Sequence, residues 1–245
     1  MIKWSKESFN SKGILQVKDK ELEDFVNAQL RDYKKDYFKT IQPLDVEDFI
    51  ENYLKIKIEY QKLSPNKSIL GTTAISDGIL PIISDEGKFE YRFYKAGTIC
   101  VDIDACGNNE HLINSTLCHE ASHAQFDLHI KKELLDGKTY LTDFVEIDGK
   151  ILKRKSDKDW MEYHANKYMS FLLMPSSFVR KLYKEKRAEI MPGKKLGVNN
   201  RKSVWTIIYS IAKELNVSPT AMAWRLLSLK VISKRTFDSL NIKRR

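Results

Sequence analysis

Cysteine is scarce in this chain. Cys100, Cys106 and Cys118 are the whole set in 245 residues. Three is odd and sparse, which excludes a disulfide-stapled scaffold and fits reduced thiols in a cytoplasm, where buried cysteines act as small hydrophobes. Apolar runs of membrane-spanning length are also missing, so neither a transmembrane helix nor a membrane partner is expected. Met1-Ile2-Lys3-Trp4-Ser5-Lys6-Glu7 leads into no apolar stretch, and no secretory signal is expected. There are no repeats and no low-complexity segments. Acidic residues run short in the last third: residues 176–245 hold 17 Lys and Arg against 4 Asp and Glu, whereas residues 1–175 hold 25 against 29. The basic character therefore belongs to the C-terminal part, and it favours an acidic or polyanionic partner there.

Histidine is nearly as rare, with five in the chain. Two of them stand four residues apart in Cys118-His119-Glu120-Ala121-Ser122-His123, an H-E-x-x-H pattern. On a helix, positions i and i+4 share a face, so both imidazoles can offer a nitrogen to one ion. Glu120 projects beside them, where it can reach a water rather than the metal. Zinc suits this donor set, because it takes neutral imidazole, tends toward four-coordination and in catalytic sites leaves one position open. The helical context agrees. Leu117, Ala121, Ala124 and Leu128 form an apolar stripe, while Leu112, Phe126 and Ile130 lie on the histidine side. A helix apolar on front and back is a buried one, running here to about Lys131.

A catalytic zinc needs a third protein ligand. His129 stands where the extended motif H-E-x-x-H-x-x-G-x-x-H places its third histidine, but Phe126 occupies the position of the glycine that lets the chain leave the helix. Glu162 is the other candidate. It lies in a helix that begins near Asp157 or Asp159 and ends before Pro175, and it shares a face with Asn166, Met169 and Leu173. A polar pair heading an apolar face favours Glu162 on the metal, with Asn166 holding a ligand in place.

Taken together, His119, Glu120 and His123, then Glu162, Ala165 and Asn166, then Leu172 to Pro175, resemble the ImmA/IrrE family of metallopeptidases. Val217-Ser218, Ala221, Arg225-Leu226 and Leu229 look like that family's helical C-terminal end, and the resemblance covers about residues 41–232. It implies a Zn²⁺ cofactor, a glutamate third ligand and endopeptidase activity. Better-known members cleave helix-turn-helix transcriptional repressors in bacteria and their mobile elements, so the implied partner is such a repressor and the implied role is relief of repression. Cys118 departs from the family pattern, which has a small apolar residue there, and the segment between the two metal helices is long.

The expected fold is α+β: a small antiparallel sheet packed on a gluzincin-like zinc-binding helix pair. Residues 1–40 form a helical extension, with a helix from Asp19 to about Tyr37. Residues 41–175 are the metallopeptidase domain. Asp45 caps a helix there, strands follow at 56–60, 78–84, 89–94 and 97–103, and a hairpin turns at Asp148-Gly149. A sheet edge beside the metal could hold an extended peptide by strand addition. Residues 176–245 are helical and basic. Ser176 or Ser177 caps one helix, a second covers 204–215, and Ser218 with Pro219 starts a third, a helix-turn-helix-like arrangement. That third helix is too apolar to read bases, and core packing suits it better. A competing reading, motivated by the same basic third, is a DNA-associated regulator whose zinc is only structural.

Overall fold

The computed structural model describes residues 3–130, 140–143, 157–193 and 200–242. Its helices are α1 (Asp19–Tyr33), α2 (Val46–Asp48, continued by a π-helical turn through Tyr53), α3 (Glu110–Phe126), α4 (Asp157–Leu173), α5 (Ser176–Ile190), α6 (Arg201–Glu214), α7 (Pro219–Ser228) and α8 (Lys234–Ser239). Its strands are β1 (Ile58–Tyr60), β2 (Gly71–Ala74), β3 (Gly78–Ile83), β4 (Phe89–Tyr94), β5 (Ile99–Val101) and β6 (Tyr140–Asp143). The chain is thus mixed α and β, with a small sheet, and no helix among the described residues is long and apolar enough to cross a membrane.

Local chemistry sets several boundaries as expected. Asp45 accepts from the Asp48 N–H at 3.2 Å, Ser218 accepts from Ala221 N–H at 3.1 Å, and Pro219 follows as the first helical residue. Other boundaries move. Helix α1 stops at Tyr33 rather than Tyr37, because the turn after it is also buried: the Tyr37 ring stacks on Phe178 at 5.6 Å between centroids, so apolar spacing outlasts the helix. Pro175, not a serine, is the residue before α5.

The sheet is the main correction. It has four strands in the order β1-β5-β2-β6, and it is mixed rather than antiparallel: β1 runs parallel to β5, while β2 is antiparallel to both β5 and β6. Alternation in a strand reports its faces and not its direction, so the parallel pair left no mark. Strand β5 is shorter than 97–103. Gly97 and Thr98 belong to a turn, and beyond the strand the buried Asp102 carboxylate accepts from the N–H groups of Leu63 at 2.9 Å and Ala105 at 2.8 Å. Strands β3 and β4 form a separate hairpin. The expected hairpin at Asp148-Gly149 lies outside the described residues.

Helix α3 lies on β2 and β5 and packs against α4; α1 covers α4, and α5 to α8 pack in succession. One core runs through all of them, from Leu15 and Leu22 through Leu117 and Leu172 to Leu226 and Leu240. Met222, Ala223 and Leu226 of α7 are buried in it, as its apolar sequence indicated. Arg225 is buried with them. It donates through Nε to the Met174 carbonyl at 3.0 Å, pairs with Glu23 of α1 and lies over the Phe171 ring. The charge that a DNA reader would direct outward is here a cross-tie between three helices.

Candidate metal centre

Asn109 opens α3 by accepting from Leu112 N–H, and the helix then carries His119, Glu120 and His123 into a fully buried stretch between the sheet and α4. Helix α4 brings Glu162 across from them. His119 Nε2 and His123 Nε2 are 3.1 Å apart, Glu162 Oε2 is 3.3 Å from His119 Nε2, and Glu162 Oε1 is 3.5 Å from His123 Nε2. These are the residues among the described ones whose donor atoms gather within 4.8 Å of one another to hold a metal ion. The spacing suits a small tetrahedral cation, since donors about 2.0–2.1 Å from such an ion sit roughly 3.3 Å from each other. The donor set of two imidazoles and one carboxylate is compatible with zinc. The histidines are at most 1 % exposed while the Glu162 side chain is 25 % exposed, so the cluster opens to solvent on the Glu162 side.

Two further groups fix this arrangement, and neither was singled out from the sequence. Asp127, almost fully buried at the end of α3, lies 2.6 Å from His123 Nδ1. A carboxylate accepts there, which places the proton on Nδ1 and leaves the Nε2 lone pair facing the cluster. The signal was available, since Asp127 stands four residues after His123 just as His123 follows His119. Thr73, buried in β2, donates through Oγ1 to Glu120 Oε2 at 2.6 Å and approaches the Glu120 carbonyl oxygen at 3.1 Å. No spacing rule could have found it, because it comes from a strand that the sequence reading passed over. Gly71 of the same strand is needed for close approach: a Cβ there would sit 2.5 Å from Thr116 Cγ2 and 3.0 Å from Glu120 Oε1. Small residues in β2 thus let the sheet come down onto the glutamate.

The competing ligand is placed elsewhere. Helix α3 does end at Phe126, short of Lys131, even without a glycine: the chain turns at Asp127, and the exposed His129 lies outside the cluster. Phe126 stays inside, edge-on to Tyr168 at 5.3 Å between centroids. The sharp turn is held from the other side by Gly13, whose missing Cβ would lie 2.2 Å from the His129 carbonyl oxygen. Asn166 does not brace a ligand side chain as expected; its amide donates to the Glu162 carbonyl oxygen one turn back at 2.9 Å.

The aromatic groups of α4 face away from the cluster. Tyr163 donates to Asp19 of α1. Tyr168 donates to Gln29 at 2.8 Å and accepts from Gln125 at 2.6 Å, and Gln29 donates to Gln125 at 2.8 Å, which closes a ring across α1, α3 and α4. Burial pushes the Tyr168 phenol well above its ordinary value. Burial likewise pushes the Cys100 thiol up to about 12 and the Cys118 thiol higher still. The three cysteines are free and buried, and none joins the cluster, in keeping with their expected role as small hydrophobes. Compared with known proteins, the chain matches no family model and no curated sequence.

Proposed function

We propose that this chain is a zinc-dependent endopeptidase in which His119, His123 and Glu162 hold the metal and Glu120 is the general base. The observation that carries the reading is the convergence of Glu162 on the histidine pair, with donor separations of 3.1 to 3.5 Å, at a cluster open on one side. Three protein donors with an open side is the pattern of a catalytic site; a structural site closes itself with four. When bound, zinc brings the pKa of a water toward neutrality and polarises the scissile carbonyl. The chain supplies the rest. Glu120 follows His119 on the same buried turn, and Thr73 fixes one of its oxygens, so a carboxylate with little freedom takes the proton from the attacking water and passes it to the leaving amine. Asp127 keeps the His123 ring in one tautomer and orientation.

The resemblance to the ImmA/IrrE family supplies the substrate class: a helix-turn-helix repressor, cut to relieve repression in a stress response or a mobile element. Among the described residues β2, which carries Thr73, is flanked by β5 and β6, and β6 is the outer strand on that side, so the strand addition expected for such a substrate is assigned to β6. The test is co-expression of the wild type and of Glu120→Gln with candidate repressors. The wild type should yield a cleavage product, and Glu120→Gln should keep its zinc and its fold while losing at least about a hundredfold in cleavage. Substantial cleavage by the variant would remove Glu120 from the mechanism.

The basic C-terminal third motivates the second reading, a DNA-associated regulator with a structural zinc. Against it stand the burial of Arg225 and the use of Arg180 and Arg201 as donors to the main-chain carbonyls of Leu229 and Leu240. It would be favoured by metal needed only for folding together with nucleic-acid binding that weakens steeply with salt.

A further inference from the structure

The β3–β4 hairpin turns one apolar face to solvent. Phe89, Tyr91 and Phe93 stand on it at alternate positions, 63 %, 74 % and 61 % exposed, and Ile79, opposite Phe93, is 56 % exposed. The other face is already used, with Leu80, Ile82 and Tyr94 packed on Leu63, Ala74 and Cys100. None of the exposed rings serves the metal centre. A row of large apolar side chains on a strand that is an edge among the described residues marks a surface built to be covered.

The edge itself is poised for pairing. Among the described residues β4 pairs only with β3. Ser84 N–H donates to Lys88 O at 2.8 Å across the turn. From that pair the antiparallel ladder alternates, so Glu90 and Arg92 bond to β3, while Phe89, Tyr91 and Phe93 direct their N–H and C=O groups outward. Two neighbours confirm the phase. Pro81, which has no N–H, stands opposite Tyr91, and Ile83, opposite Phe89, donates away from β4 to the Lys62 carbonyl at 2.7 Å.

The sequence of this edge is complementary to itself. Laid antiparallel on a second copy about Tyr91, Phe89 meets Phe93 of the other copy, Tyr91 meets Tyr91, and Glu90 meets Arg92. Glu90 and Arg92 are both about half exposed and 3.5 Å apart, so each can turn to the other copy. The other cations on or beside the hairpin already face carboxylates, as in Lys62–Asp85, Lys88–Glu86 and Lys95–Asp77, which leaves little net field to draw a polyanion. We propose that two copies of this chain associate through their β4 strands, antiparallel about Tyr91, into one continuous four-stranded sheet with a shared aromatic face. The inference is independent of the metal centre.

Pairing at a single edge buries less than a standard interface, so the association should be weak and visible from about 1 to about 100 µM. Sedimentation equilibrium of the full chain should show the wild type passing from monomer to dimer over that range. Tyr91→Pro leaves the β3 ladder intact, because the Tyr91 N–H is not used there, and should be monomeric throughout with an unchanged circular dichroism spectrum. Arg92→Glu sets like charges opposite each other and should weaken the dimer by about tenfold, since two opposed pairs become repulsive. Adding Glu90→Arg restores complementarity and should restore the dimer, which decides the matter even if the proline variant misfolds. A wild type that stays monomeric at the highest concentration overturns the proposal and leaves this face to a different protein. A dimer indifferent to Arg92→Glu, or one that the double exchange fails to recover, overturns it equally.

Discussion

At the scale of single residues, the proposed base Glu120 and the proposed ligand His123 are each held by a partner that a motif search cannot see. Thr73 Oγ1 sits 2.6 Å from the Glu120 carboxylate in a buried setting. A hydrogen bond to a charged group is worth about 1.5–3 kcal/mol. Thr73→Val should therefore cut cleavage roughly 10- to 100-fold while zinc content stays the same, and Thr73→Ser should recover most of the loss. Equal activity of the valine variant would show that Glu120 needs no such support. Asp127 offers a separate test through the metal. Asp127→Asn should weaken zinc affinity about 10- to 100-fold, read by competition with a chelator, because the His123 ring loses its charged acceptor; unchanged affinity would reduce Asp127 to a helix end. Much of the centre was legible in the sequence. The spacing placed His119 and His123 on one face and helix phase pointed to Glu162, and these three donors do gather in the fold. Asn166 shows the limit of phase: it lies on the right face, yet its amide turns back to its own helix at the Glu162 carbonyl.

At the scale of elements, most helices and the strands β1, β3, β4 and β5 were readable, whereas β2, β6 and the pairing of the sheet were not. An amphipathic helix displays its period over many residues, as α1, α5 and α6 do. Strand β2 has four residues, Gly71-Thr72-Thr73-Ala74, all of them buried, so it shows no alternation and escaped notice although it carries Thr73. The parallel β1–β5 pair was equally silent, because direction is set by the path of the chain between strands. Helix ends erred where buried turns prolonged the apolar pattern, at Tyr37 after α1 and at Ile130 after α3. Helix α1, which lies outside the residues that carry the resemblance, joins α3 and α4 through Gln29. Replacing Gln29 with Leu would leave the Tyr168 hydroxyl and the Gln125 carbonyl oxygen without their partner in the buried ring. That should cost about 1–3 kcal/mol and lower the melting temperature with little change in zinc stoichiometry. A variant as stable as the wild type would mean that water replaces the amide.

At the scale of the whole molecule, the segments 1–40, 41–175 and 176–245 share one core, from Leu15 to Leu240, with Arg225 tying α7 to α1 and to the chain after α4. Among the described residues, part of the charge asymmetry seen in the sequence lies on the outer faces of the C-terminal helices, where Lys202 and Lys213 are exposed. What the whole fold accomplishes for the proposed function is local: it sets α4 against α3 so that a glutamate remote in sequence reaches two histidines. Zinc content after exhaustive dialysis measures this most directly, for the wild type, Glu162→Ala and His129→Ala. The wild type and His129→Ala should each retain a single zinc per chain, and Glu162→Ala should lose it, as expected when one of three protein ligands is removed. A wild type that holds no zinc, or a Glu162→Ala variant that keeps it while His129→Ala does not, would contradict the proposed centre.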